Sequence, residues 1–207
     1  MKMIVEQIMK KEVYTLTPSN TIRDALQVMK EKTIRHIPIV DNTKTLVGLI
    51  TENTLKRIIP STLKESTRLT TYETLIGDIM ITDPVTVHPL DFIEDVALTF
   101  YDTKFTCLPI VSGGKLVGIV STSDLLYTYI ELTGANKPSS KIDIRVKDRS
   151  GILSDITEVF KEHKANVLSV LVYPDSDVHY KIVSIRVQMI NPLLIIAELR
   201  QDRKSVV

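Results

Sequence analysis

The sequence predicts an α+β chain: a duplicated β-α-β-β-α unit, followed by a smaller domain of order β-α-β-β-α-(β). Three observations carry that expectation. The chain repeats itself at an offset of 71 residues, which lays EQIM (6–9) on GDIM (77–80), Pro18 on Pro89, and IPIV (37–40) on LPIV (108–111). Within each copy the apolar residues switch between helical spacing and short β-rich runs. Then GANKPSS (134–140) interrupts all periodicity with glycine, proline and serine, and a different pattern begins after it.

Each element of the duplicated unit has a local cause. After the Thr17-Pro18 turn, Ile22, Ala25, Leu26 and Met29 fall on one helical face, and Ile93, Val96, Ala97 and Phe100 do so in the second copy. The runs Ile37 to Val40 and Leu46 to Ile50 are rich in β-branched residues and are joined by a polar turn with Asp41 and Asn42, which reads as a hairpin. In the second copy the turn is Gly113-Gly114, one residue shorter, so the offset falls to 70 beyond it. Each hairpin runs into a related phrase, GLITENT (48–54) or GIVSTSD (118–124). The hydroxyl of Thr51 or Ser121 stands at a helix N-cap position, and an apolar helix follows, clearest in DLLYTYIEL (124–132).

Beyond the break, Ile142, Ile144 and Val146 alternate as in a half-buried strand, and Leu153, Ile156, Val159 and Phe160 share a helical face. VLSVLVY (167–173) and YKIVSIRVQM (180–189) read as strands. In NPLLIIAELR (191–200), Asn191 is a suitable N-cap and Pro192 suits the first helical position. The ending RKSVV (203–207) leaves a stub for a last strand.

The paired phrases, each a glycine, two aliphatic residues, a hydroxyl and two spacers after an hxPhV strand, resemble those of tandem CBS domains. On this resemblance the chain divides into a first CBS repeat at 1–60, an inter-repeat linker at 61–76, a second repeat at 77–133 and a linker at 134–140. It implies two repeats packed as a pseudo-twofold pair, with clefts that hold AMP, ADP, ATP, S-adenosylmethionine or a related adenosine ligand. Carried over by position, Gly118, Val120, Ser121 and Asp124 form the fuller ligand-binding set. Gly48 and Thr51 match in the first repeat, where Thr54 replaces the acid. The chemistry is consistent with that implication: glycine lets a ligand approach the backbone, a helix N-terminus favours phosphate, and a carboxylate accepts from ribose hydroxyls. The basic residues Arg35 and His36 sit in the first repeat, opposite Thr106 and Cys107 of the second, so this equipment is split between the copies. A plainer reading of the same residues is that Ser121 and Thr51 only cap helices, with Asp124 a first-turn residue.

The segment 141–207, with DRSGIL (148–153) between its first strand and helix, resembles an ACT domain of ferredoxin-like βαββαβ order. Ser150 stands where that family commonly has proline. The resemblance implies a small-effector site at Asp148, Ser150 and Gly151; the plain alternative is a turn in which glycine supplies a permissive φ.

Composition bounds what the chain does. With 43% hydrophobic residues and Lys plus Arg (26) nearly balancing Asp plus Glu (25), the sequence suits a folded protein and lacks the basic excess that nucleic acid demands. No apolar run reaches the length of a membrane span, the first residues lack the apolar core of a signal peptide, and the single Cys107 suits a reducing compartment, so a cytoplasmic protein is expected. No catalytic residue and no metal ligand is assigned: there is no P-loop or dinucleotide fingerprint, and pairings such as Cys107 with His88, or His36 with Asp41, lack a supporting pattern. The expected function is regulatory ligand sensing, with a nucleotide, an unknown partner protein and a homodimer. The alternative is an adaptor whose clefts stay empty.

Overall fold

The computed structural model describes residues 3–59, 70–201 and 205–206, so 61–69 of the expected linker and 203–204 and 207 of the expected final strand lie outside the described residues. The chain forms two compact units, Met1–Leu125 and Leu126–Val207.

In the first unit, α1 (Ile22–Lys32) begins at a capping box. Thr21 accepts from the Asp24 N–H, the Asp24 carboxylate accepts from the Thr21 N–H at 2.9 Å, and Ile22, Ala25 and Met29 are buried. Strands β1 (His36–Val40) and β2 (Leu46–Thr51) pair antiparallel, with Ile37 opposite Ile50 and Ile39 opposite Gly48, and α2 (Glu52–Ile58) follows directly. The second copy repeats this in α3 (Ile93–Thr103), β3 (Cys107–Ser112), β4 (Lys115–Ser121) and α4 (Thr122–Thr133). Repetition extends to the backbone: α1 and α3 end on left-handed residues, Thr33 (φ 54°) and Lys104 (φ 59°). The shorter hairpin turn is built from Gly113 and Gly114 (φ 58° and 78°), the doubly left-handed pair that a two-residue turn requires.

One side chain of an expected buried stripe, and much of the expected apolar helix, are exposed. Ala97 lies on the outer flank of α3, and Leu126, Tyr127, Tyr129 and Leu132 make much of the apolar α4 an exposed surface. A four-residue apolar stripe spans more of a helix than one flat neighbour covers, so its flanking member is left outside.

The two repeats exchange their leading segments. Lys10 bridges antiparallel to Ile119 on β4, and Ile81 bridges antiparallel to Leu49 on β2. Val5, in a 3-10 turn (Val5–Gln7), is buried in the second repeat's core with Val96, Phe100, Leu108 and Val120. Ile76, in the matching turn (Ile76–Asp78), is buried in the first repeat's core with Ile22, Ile37 and Leu55. Each repeat's core is therefore completed by residues from the sequence of the other, and Ile76, at the end of the expected linker, is a core residue.

The second unit contains β5 (Ser140–Lys147), α5 (Ile152–Glu162), β6 (Val167–Pro174), β7 (Tyr180–Val187), α6 (Leu193–Gln201) and β8 (Ser205–Val206), with an antiparallel sheet of order β6-β7-β5-β8. This is the ferredoxin-like order. Ile142, Ile144 and Val146 point into a core closed by Ile156, Val159, Phe160, Ile195 and Leu199. Leu153, expected on that face, is exposed, and Ile152 packs there instead. Asn191 Oδ1 accepts from the Leu193 N–H at 3.2 Å and caps α6.

Candidate functional site

A cleft of about 470 Å³ opens between the two repeats of the first unit. From repeat 1 it takes the residues entering β1, Thr33 to His36, and the first turn of α2, Glu52 and Asn53. Repeat 2 contributes Thr106 and Cys107 at the start of β3, Ile119, and the corner Ser121 to Asp124. The exchanged segment adds Lys10 and Glu12 to Tyr14.

The basic residues and the acid corner, split between the copies in sequence, thus line one cleft. His36 Nε2 and Thr106 Oγ1 are 3.0 Å apart, joining the strand starts of the two repeats. Burial, and then the Arg35 guanidinium beside it, hold the His36 imidazole below its ordinary value, so at neutral pH it is the uncharged ring with one donor and one acceptor nitrogen. Arg35 is exposed and has no side-chain hydrogen bond or ion pair to another described residue.

At the other wall, Asp124 accepts from the Ser121 N–H at 2.8 Å and from the Ser121 hydroxyl at 2.5 Å through Oδ2, while the Asp124 N–H lies 3.3 Å from Ser121 Oγ. This is a capping box, so the plain helix-capping reading of both residues holds in this state. Oδ1 of the same carboxylate faces Lys10 Nζ at 3.3 Å. In the first repeat Thr51 caps α2, accepting from the Thr54 N–H at 3.1 Å, and the two hydroxyls lie 2.9 Å apart. Thr54 reproduces the cap but supplies no charge.

Four of the sequence-derived positions lie away from this cleft's lining. Val120 is wholly buried in the second repeat's core. A Cβ at Gly118 would stand 2.8 Å from Met9 Sδ and 3.1 Å from the Lys10 carbonyl; one at Gly48 would stand 2.5 Å from Met80 Sδ and 3.0 Å from the Ile81 carbonyl. Both glycines therefore admit the exchanged segment against the hairpin, where a methionine side chain and the next carbonyl make the close approach. Thr51 is absent from the lining as well.

Cys107 is 5% exposed, and its thiol is pushed up to about 12 by burial and then by the Asp124 charge. It is the thiol, not the thiolate, at neutral pH, and so not a nucleophile. His88 is engaged in its own turn, where Nδ1 accepts from the Leu90 N–H at 3.2 Å.

In the second unit, Lys181 Nζ contacts Asp148 Oδ1 at 2.8 Å, and the Asp148 N–H donates to the His179 carbonyl. Gly151 has φ 81° and begins α5 without a side-chain cap. Its left-handed backbone is reason enough for glycine there.

No motif marks Lys10 in the sequence. Its signal lies in the repeat alignment: at the 71-residue offset it lies opposite Ile81, just as, at 70, Asp124 lies opposite Thr54. The second repeat's corner has both the acid and its cation, and the first has neither.

The CBS domain family model matches residues 5–61 and 76–131, more than half of the chain, and the ACT domain model matches 140–203. The chain belongs to the CBS-domain family and carries two CBS repeats followed by a C-terminal ACT domain. Among solved structures the chain resembles one named for acetoin utilisation. A Vibrio cholerae protein given the name acetoin utilization protein (AcuB) is 30% identical, with a TM-score of 0.57, over 66% of this chain and 96% of that one. CBSX2 in complex with AMP is 29% identical, with a TM-score of 0.54, over 61% of this chain and 96% of that one. The CBS pair of protein MJ0100, in complex with 5-methylthioadenosine and S-adenosyl-L-methionine, is 25% identical, with a TM-score of 0.52, over 65% of this chain and 98% of that one. The chain spans 61% of the length of the full CBSX2 of Arabidopsis thaliana, to which it is 27% identical over 145 residues. No helix among the described residues is long and apolar enough to cross a membrane.

Proposed function

We propose that this chain is a non-catalytic regulatory protein of the cytoplasm that binds an adenosine nucleotide in the cleft between its CBS repeats. The observation that carries the reading is the meeting of Arg35 and His36 from one repeat with Ser121 and Asp124 from the other around a single volume of about 470 Å³. That volume suits a nucleotide, and the adenosine ligands of CBSX2 and MJ0100 support the class. Loading the cleft bridges the two repeats and so shifts the conformations that a partner protein distinguishes. The likeness to AcuB supports a link to acetoin or acetate metabolism. Asp148, Ser150 and Gly151 are proposed as a second small-effector site, supported by the uncapped start of α5.

Thermal-shift titration with AMP, ADP, ATP and S-adenosylmethionine tests the reading. A ligand at a hundred times its Kd adds about 2.7 kcal/mol of stability, a shift of several degrees. No shift with any of the four favours an adaptor with empty clefts.

We also propose a homodimer joined through β6. This eight-residue edge strand carries no charge and no proline before its last residue, Pro174, and Val170, Leu171, Val172 and Tyr173 expose apolar side chains on both of its faces. Protected edges use charge or proline along their length, so a second copy pairing here accounts for the composition. Sedimentation equilibrium should report twice the chain mass, and Val172→Lys should shift the protein toward the monomer. A monomeric wild type would refute the pairing.

A further inference from the structure

We propose that Lys10 makes the cleft selective for a phosphorylated nucleoside by changing partners, holding Asp124 when the cleft is empty and the ligand's phosphate when it is filled. This rests on the nucleotide reading of the cleft. The backbone of Lys10 is fixed, since its N–H donates to the Ile119 carbonyl at 2.9 Å and its carbonyl accepts from the Ile119 N–H at 3.0 Å. Its side chain is 67% exposed, and its ammonium stands 3.3 Å from Asp124 Oδ1, longer than a close charge-assisted hydrogen bond. Asp124 is only 17% exposed, so displacing the ammonium from it has a cost, while the four-carbon stem carries the ammonium freely about a fixed root.

Asp124 needs such a partner. Its Oδ2 accepts from the Ser121 N–H and hydroxyl and its Oδ1 faces Lys10, so a ribose hydroxyl approaching Oδ1 competes with the ammonium. A nucleoside without phosphate must displace Lys10 and offers it nothing in return. A nucleotide displaces Lys10 and gives it a phosphate.

Charge within the cleft supports the same role. Glu52 is neutralised by Lys56 at 2.7 Å, so Glu12 and Asp124 stand against Lys10 and Arg35, with His36 uncharged, and removing Lys10 leaves an excess of negative charge that repels an anion. The repeat asymmetry points the same way, because Ile81 and Thr54 replace cation and acid together. A lysine kept only to hold the exchanged segment would have no reason to vary with the acid.

Calorimetric titration of wild type and Lys10→Met with AMP and with adenosine decides the matter. Lys10→Met should weaken AMP about tenfold or more, the scale of one charge-assisted hydrogen bond, while adenosine tightens because the ammonium no longer competes for Asp124. Lys10→Arg should keep the preference for AMP. Equal weakening of both ligands, or no change in either, would overturn the exchange of partners while leaving the nucleotide site intact. If wild type binds neither ligand and the thermal-shift panel finds no other, the nucleotide reading itself falls, and the role of Lys10 with it.

Discussion

Asp124→Ala is expected to weaken AMP binding roughly tenfold to a hundredfold, and Thr54→Ala to leave it unchanged. The difference follows from what each residue brings to its corner. Both follow a hydroxyl that caps a helix, but only Asp124 places a carboxylate in the cleft, with Oδ2 held by Ser121 and Oδ1 toward Lys10. A hydrogen bond to a charged group contributes about 1.5–3 kcal/mol, which is the stated loss in affinity. Asp124→Ala also removes half of the capping box, at about 1 kcal/mol of stability. Asp124→Asn separates the two effects, because the amide oxygen still accepts from the Ser121 N–H while the charge is gone. Titration calorimetry should find Asn nearly as poor as Ala for AMP, and unfolding should find Asn closer to wild type in stability. Equal losses of affinity from Asp124→Ala and Thr54→Ala would contradict the unequal corners.

Most of the architecture was legible because the fold writes itself twice. The 71-residue offset, the stripes at Ile22, Ala25 and Met29 and at Ile93, Val96 and Phe100, and the caps at Thr51 and Ser121 are local patterns, and local patterns survive in a sequence. What did not survive is which segments meet. Gly118 signals that something approaches closely, and it cannot say that Met9 and Lys10 do so rather than a ligand. His36 and Thr106 are 70 residues apart and touch only because the repeats pack face to face. Arg35 and Asp124 belong to different copies in the sequence, and the pairing of repeats makes them two walls of one cleft. Lys10 was invisible as a site residue for the same reason: a lysine in a polar leading segment reads as solvated until the strand it bridges is known.

The exchange of leading segments yields the largest effect on stability. Ile76→Ala is expected to destabilise the protein by about 2–5 kcal/mol, although Ile76 sits in a 3-10 turn where the sequence suggested only a linker. The side chain is wholly buried among Ile22, Ala25, Ile37 and Leu55 of the other repeat, so its removal leaves a cavity in a core that its own repeat does not form. Backbone contacts hold it there: the Ile76 N–H donates to the Asn20 carbonyl at 2.8 Å and the Gly77 N–H to the Pro18 carbonyl at 2.9 Å. These bonds limit collapse of the site, which places the cost toward the upper part of the range. Double-mutant cycles by denaturant unfolding test the exchange directly. Ile76→Ala should couple to Ile22→Val by about 0.5 kcal/mol or more, as residues sharing a cavity do, and should be additive with Val120→Ala in the second repeat's core. Coupling to Val120 in place of Ile22 would put Ile76 in its own repeat. Because Lys10 belongs to the mirror-image segment, anchored by Val5 in the second repeat's core, the same exchange that secures the two cores also carries the cleft's cation to Asp124. Loss of an anchor is therefore expected to loosen the ligand site as well as the fold, and Val5→Ala should lower AMP affinity along with stability while Ile76→Ala lowers mainly stability.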